Sequence, residues 1–437
     1  MGAPAGRSVG RWRVRKVLYV ILDGLADRPV EGLGGRTPLE AASTPHLDAL
    51  AAEGQQGLVL TVGEGIAPES DVAVTAILGY DPFQYHAGRG LLEALGMGIP
   101  FRDGNLALRG NFATAGEGRR ILDRRVGRSL RSDEARELAQ AVQEQVHLSG
   151  ASFRFEASVG HRCVLVLYDP ALQLSSQISN TDPAYGRVGV LGVARTVVRD
   201  EVEPCVPLDG SPGAARAADL VNEFAERSRR VLESHPVNQR RRQRGESPAN
   251  LVLLRDASDH VPPVPPFAER MGARFACFVE MPVERGIARL LGMGVVEVPP
   301  SGRDVRVYAA WAEEALRQLD RWDGLYVHLK GPDEPAHDGN WQAKRAVIEG
   351  IDAHFFGPLR EGLRGRGDVV VVVTADHATV CEVGAHTDDP VPLLVWRPGG
   401  PQDGAGGFGE SAAARGRLGK LRGVEVLPLV LELARGG

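Results

Sequence analysis

The chain reads as an α/β fold, with helices on both faces of a mostly parallel central sheet and an α+β region inserted into it. Three observations predict this. The stretch Asp368-Val-Val-Val-Val-Val-Thr-Ala-Asp376-His377 is a continuous β-branched run without the alternation of a half-exposed strand, which suits a parallel strand buried on both faces. Two further runs, VLYVIL over 17–22 and GLYVHL over 324–329, share that character and also lead into acidic residues. Between about Asn111 and Pro300 the pattern of acids at strand ends lapses and arginine becomes more frequent.

In chain order, Val17–Leu22 is a strand that ends in Asp23-Gly24. Thr37-Pro38-Leu39-Glu40 combines a cap residue, proline at the first helical position and glutamate three residues after the cap. Thr44-Pro45 opens a second helix with Leu47, Leu50 and Ala51 on one face, and Gly54 stops it. A short strand is expected over Leu58–Val62 and a short apolar helix over Val72–Leu78, with Ser70 at its N-terminus. As an N-cap, Ser70 would only tie down a backbone N–H; the same free N–H groups would also stabilise a phosphate there. The inserted region holds strand candidates at Cys163–Tyr168 and Leu251–Leu254 and an amphipathic helix over Ala217–Leu232, and Pro262, Pro263, Pro265 and Pro266 force a loop. Beyond Pro300 come a helix with Trp311, Ala315, Leu316 and Leu319 on one face, the strand 324–329, a helix with Val347, Ile351 and Phe355, the valine strand, and a strand over Pro392–Trp396. A glycine-rich loop, Gly399–Gly409, precedes a last amphipathic segment over Leu421–Leu433. The expected division is 14–108 and 301–437 for the main domain and 109–300 for the insert.

At 437 residues the length favours two domains or one with a large insertion. No window approaches the ~20 apolar residues of a spanning helix, so no membrane partner is expected. Met1–Lys16 carries four arginines but no apolar signal-peptide core, and is expected to be a frayed tail. Cys163, Cys205, Cys277 and Cys381 lack Cys-x-x-Cys spacing, which argues against thiolate zinc or a disulfide framework and suits a reducing cytoplasm. A net charge of −5 excludes the basic field of a nucleic-acid binder, and the Arg240, Arg241, Arg242 and Arg244 cluster is expected to be a solvated face.

Parallel strands of one sheet present their carboxyl ends on one edge, where ligands bind in such folds. Asp23, Asp333 with His337, and Asp376 with His377 all follow strand candidates, and His386 lies in the next loop. Mixed carboxylate and imidazole ligands suit manganese, zinc, cobalt or iron better than magnesium. These six ligands exceed what one ion takes, and paired ions are a standard means of handling phosphoryl oxygens. Ser70 supplies a nucleophile that metal coordination would activate, and the absence of a Gly-x-Ser-x-Gly elbow favours attack on phosphorus or sulfur over acyl transfer.

These residues carry a close resemblance. LDGLAD at 22–27, PESD at 68–71, LGYDP at 78–82, GRGLLEALGMGI at 88–99, RGNFAT at 109–114, NTDP at 180–183, PANLVLLR at 248–255, HLKGPDEPAHDGN at 328–340, TADHAT at 374–379 and HTDDPVPLL at 386–394 follow one another in that order. The chain resembles the archaeal-type cofactor-independent phosphoglycerate mutases of the alkaline phosphatase superfamily. The resemblance implies an alkaline-phosphatase-like three-layer sandwich with an inserted lid. One divalent ion would be held by Asp23, Ser70, Asp376 and His377 and the other by Asp333, His337 and His386, with manganese foremost and magnesium, cobalt or zinc as alternatives. It further implies that Ser70 takes the phosphate of 3-phosphoglycerate and returns it to the other hydroxyl as a glycolytic and gluconeogenic step, without 2,3-bisphosphoglycerate. Lys330 and Asp182 are the further catalytic candidates, and Asn111, Arg162 and Arg255 the candidates for gripping the substrate. A homo-oligomer is compatible with it.

The chain departs from the family pattern at Glu69, where a small residue is expected, at Pro332, Pro335 and Ala336 in the metal loop, and at Asp256, where Arg-Gly-Ala is expected. The ligands are spared but their surroundings are not. A phosphomonoesterase, or a mutase-like enzyme acting on another small phosphorylated or phosphonylated acid, is the alternative. A silent binding module would have no physical reason to keep seven costly ligands together.

Overall fold

The structure, a computed structural model, describes residues 15–188, 191–195, 199–301 and 304–436. Residues 1–14, most of the expected N-terminal tail, lie outside the described residues.

The chain forms two compact units. The first comprises residues up to Gln84, Pro265–Glu280 and the chain from Gly292, and the second comprises Tyr85–Val264 with Met281–Leu291. The first is built on an eight-stranded sheet in the order Gly294–Val295, Phe275–Phe278, Gly324–Leu329, Lys16–Leu22, Val369–Thr374, Val391–Trp396, Gln55–Leu60 and Gly419–Arg422. Every pairing is parallel except those of Val391–Trp396, which runs against both neighbours. The three central strands are buried almost throughout, as their unbroken apolar runs require. The short strand begins at Gln55 rather than Leu58, and the last helix covers Gly423–Arg435. The capping box at Thr37 forms as its sequence dictates: Thr37 Oγ1 accepts from Glu40 N–H, and Glu40 accepts from Thr37 N–H.

The second unit is an antiparallel sheet of Ile121–Asp123, Leu106–Ala115, Arg162–Tyr168 and Ser152–Ala157, with Leu251–Ser258 also paired to Leu106–Ala115. Leu106, Leu108, Phe112, Leu165 and Leu254 face a core shared with Leu138 and Val142 of helix Ser132–Gln145 and with Leu220, Val221 and Phe224 of helix Pro212–Ser234.

This second unit starts and ends earlier than 109 and 300. Helix Arg89–Met97 crosses helix Pro282–Leu290 so closely that a Cβ on Gly96 would overlap the Pro282 carbonyl, and one on Gly286 the Leu92 carbonyl. That crossing brings Met281–Leu291 into the second unit, and Gly90, where a Cβ would overlap the Ala107 and Asp256 carbonyls, ties helix Arg89–Met97 to the unit's sheet. Phe275–Phe278, four residues long, meanwhile pairs with the central sheet of the first. Arg241 corrects the solvated-face expectation: its side chain is buried, donating to Glu134 at 2.7 Å and to the carbonyl of Ser247 at 2.8 Å. The four cysteines are free and buried. No helix among the described residues is long and apolar enough to cross a membrane.

Candidate active site

Register places the ligands. Strand Lys16–Leu22 lies between Gly324–Leu329 and Val369–Thr374, with Leu22 opposite Leu329 and Ile21 opposite Thr374, so the three carboxyl ends coincide. Asp23, Asp333 and Asp376 with His377 therefore emerge on one edge of the first unit. Gly24 has φ +61, and an added Cβ would sit 2.8 Å from Asp333 Cβ, so the turn after Asp23 requires glycine. The N–H groups of Gly24 and His377 both donate to Asp376 Oδ1, at 3.1 and 3.0 Å. Among the described residues, Asp376 Oδ2 is buried without a hydrogen-bond partner, and so is Asp23 Oδ1. His377 Nε2 lies 3.5 Å from Asp23 Oδ1, 3.2 Å from Asp376 Oδ2 and 3.3 Å from Ser70 Oγ. Ser70 is the first residue of helix Ser70–Ile77. Asp23 Oδ2 pairs with Lys330 Nζ at 2.9 Å; burial raises the Asp23 pKa, but Lys330 outweighs it with help from His328 and His377, so the carboxyl stays ionised well below its usual range.

The second group is Asp333, His337 and His386. His337 Nδ1 is 2.9 Å from the Gly384 carbonyl and His386 Nδ1 is 2.8 Å from that of Pro68. Carbonyls only accept, so both Nδ1 atoms carry the proton. In neutral rings the two Nε2 lone pairs then face each other at 3.3 Å, each within 3.5 Å of Asp333 Oδ1. Such a cluster repels itself unless a cation sits among its donors. Thr379, which the sequence reading missed, links the groups: its hydroxyl donates to Asp333 Oδ1 at 2.6 Å and lies 3.1 Å from His377 Nδ1, turning the His377 Nε2 lone pair toward Asp23 and Asp376. Burial pulls the His386 pKa down, but Asp333 and Glu69 raise it to about 9, so the pocket favours positive charge. Asp333 is held well below the usual carboxylate range: burial and Asp23 push upward, and His386 and His377 outweigh them. The two orphaned carboxylate oxygens and three lone-pair nitrogens fit two divalent cations, one at Asp23, Asp376 and His377 beside Ser70, the other at Asp333, His337 and His386.

A family profile described as 2,3-bisphosphoglycerate-independent phosphoglycerate mutase matches residues 51–238. A protein of that name from Aeropyrum pernix is 46% identical over 427 residues, covering 96% of this chain and all of the relative. The chain belongs to the 2,3-bisphosphoglycerate-independent phosphoglycerate mutases. Another relative of that name, from Methanopyrus kandleri, is 41% identical, with 96% of each chain covered. The structure of a cofactor-independent phosphoglycerate mutase from Thermoplasma acidophilum matches with a TM-score of 0.64 and 35% identity, over 96% of this chain and all of that one. A protein structure from Pyrococcus horikoshii matches at 0.78 with 30% identity, covering 97% of this chain and 98% of that one.

In this mutase-family chain the other sequence-derived candidates fall on two units. Lys330 joins the ligands in the first, 3.4 Å from Nε2 of the buried His328. Asn111, Arg162 and Arg255 come together on one face of the second unit's sheet: Arg162 is opposite Asn111, and Arg255 opposite Arg109. Arg109 was missed, as were Arg89 and Glu93 on helix Arg89–Met97; Glu93 Oε1 lies 3.3 Å from Nε of both arginines. Their signal was present, since Arg109 and Asn111 alternate with Leu108 and Phe112 of the core face. Asp182 is buried, receiving both Nε and Nη2 of Arg124 at 2.9 and 2.7 Å.

Proposed function

We propose that this chain interconverts 3-phosphoglycerate and 2-phosphoglycerate through a phosphoserine on Ser70, with two divalent ions, manganese foremost, and without 2,3-bisphosphoglycerate. The observation that carries this is Ser70 Oγ at 3.3 Å from His377 Nε2, at a helix N-terminus and beside two convergent ligand groups. Membership of the family supports it. When bound, the two cations would make the serine alkoxide accessible near neutrality and offset charge on the phosphoryl oxygens.

The chain's own residues do the rest. Ser70 Oγ attacks phosphorus, a new O–P bond forms, and the bond from phosphorus to the glycerate oxygen breaks. The proton that Ser70 loses is matched by one that the departing alkoxide takes up. Lys330 Nζ, anchored on Asp23, is a cation that can meet a phosphoryl oxygen. The glycerate then presents its other hydroxyl, and the same steps run in reverse. Net hydrolysis is avoided only while water is kept from the phosphoserine. Asn111, Arg162 and Arg255 supply an anion-binding face for the substrate, and Asp182 acts through Arg124.

The test is incubation of the purified protein with 3-phosphoglycerate and manganese, without bisphosphoglycerate, while following 2-phosphoglycerate and inorganic phosphate together. 2-Phosphoglycerate is expected to form, to require metal, and to vanish in Ser70→Ala. Free phosphate alone would instead make the chain a phosphomonoesterase.

A further inference from the structure

Strand Leu251–Ser258 carries an irregularity at the edge of the arginine face. Across from Leu106–Ala115, Ala107 pairs with Ser258 but Arg109 with Arg255, so one residue, Leu108, stands opposite two, Asp256 and Ala257. The extra length is a β-bulge, and within it Asp256 has φ +56, a conformation that glycine adopts freely. Only Asp256, Val126 and Arg128 among the described non-glycine residues have positive φ. Arg128 acts on His161 together with Arg109, Arg125 and Arg162. At Asp256 the strained backbone re-aims a carboxylate next to an arginine.

The bulge aims the Asp256 carboxylate at the Arg255 guanidinium, and the two form an ion pair. Arg255 also stacks on the Tyr185 ring, 3.6 Å from its centroid. Four buried or nearly buried arginines, Arg89, Arg109, Arg162 and Arg255, thus share two carboxylates, Glu93 and Asp256. Burial lowers the Arg109 pKa, and Arg255 and Arg89 add to that, bringing it to about 9 despite Glu93. Donors are left over: Arg109 Nη1 and Arg162 Nε are buried with no hydrogen-bond partner among the described residues. Asp256 Oδ1 is likewise unsatisfied. A purely structural ion pair would be expected to satisfy both carboxylate oxygens, and buried guanidinium N–H groups without acceptors imply that a further acceptor arrives.

We propose that Asp256 is an internal counter-anion of an oxyanion-binding face on the second unit: it holds Arg255 until a carboxylate or phosphate group of the substrate takes its place. Residue 256 thereby sets the affinity for anionic ligands. The observed affinity is reduced by the fraction of time Arg255 is engaged internally, so removing the internal anion tightens binding. This deepens the mutase reading and rests on it for the identity of the natural anion.

The test compares manganese-loaded wild type with Asp256→Asn and Asp256→Gly, both of which tolerate the bulge conformation. KM for 3-phosphoglycerate and the inhibition constant for sulfate are each expected to fall about three- to tenfold, an effect on binding rather than on turnover. The gain should disappear when Arg255→Ala is added, because Asp256 acts through Arg255. Unchanged or raised constants in both folded variants would overturn the proposal, as would a gain that survives Arg255→Ala. Sulfate-induced thermal stabilisation of the same proteins gives a second readout that needs no turnover. If wild type makes no 2-phosphoglycerate, the mutase reading fails, and a larger sulfate shift in Asp256→Asn still supports the counter-anion.

Discussion

Two histidines report opposite fields in the two units. His386 in the first is drawn up to about 9 against its burial, because Asp333 and Glu69 favour its cation. His161 in the second is pushed down to about 3, by burial first and then by Arg162, Arg125, Arg109 and Arg128. One region has gathered carboxylates that call for cations, and the other has gathered guanidinium groups that call for anions. The proposed reaction would draw on both, with the cation sites on the first unit and anion binding on the second. Variants should show the two functions separating.

The largest effect is expected at the first region. Asp376→Asn removes a carboxylate whose Oδ2 has no hydrogen-bond partner among the described residues. It should lower manganese affinity and turnover together by at least about 100-fold, beyond the range of an outer-shell change. Metal content after gel filtration and 2-phosphoglycerate formation measure it, and full manganese occupancy in the variant would break the comparison. Arg162→Ala should do the reverse, leaving metal content intact while KM rises about 10- to 100-fold. A loss of metal there would show that the regions are not separable.

Thr379→Val sharpens the first region. It deletes the hydroxyl between Asp333 and His377 and should cost about 10- to 100-fold in metal affinity, read by competition with a chelator. The smallest effect is on stability. Because the folded pKa of His161 is depressed, the unfolded chain takes up its proton first. Its contribution is present above the unfolded value near pH 6.5 and is lost as pH falls toward about 3. His161→Asn should therefore move the acid-unfolding midpoint to lower pH, as followed by circular dichroism; an unmoved midpoint would mean that the cationic field is not felt at residue 161.

The candidate ligands of the first region were legible because strand and candidate ligand adjoin in sequence: the valine run leads straight into Asp376-His377, and Leu22 into Asp23. The arginine face was only partly legible. Asn111, Arg162 and Arg255 came from motif segments, whereas Arg89, Arg109 and Glu93 meet them through strand pairing and a helix laid over the sheet. Thr379 hides in TADHAT as an ordinary strand residue until its hydroxyl is seen between two ligands. Arg241 looked like one of a solvated run because sequence cannot show that Glu134 and Ser247 wait for it.

Residue type and period in the sequence alone settled the parallel central strands, the acidic and imidazole side chains at their ends and the position of Ser70 at a helix start, since those depend on neighbours along the chain. Tertiary structure decided the reversed direction of Val391–Trp396, the unit boundaries at Tyr85 and Val264, and the bulge that turns Asp256 onto Arg255. Each of these depends on which distant backbone supplies a hydrogen bond or yields space, as where Gly96 and Gly286 let two helices touch. That information is held by pairs of positions, and no single stretch contains it.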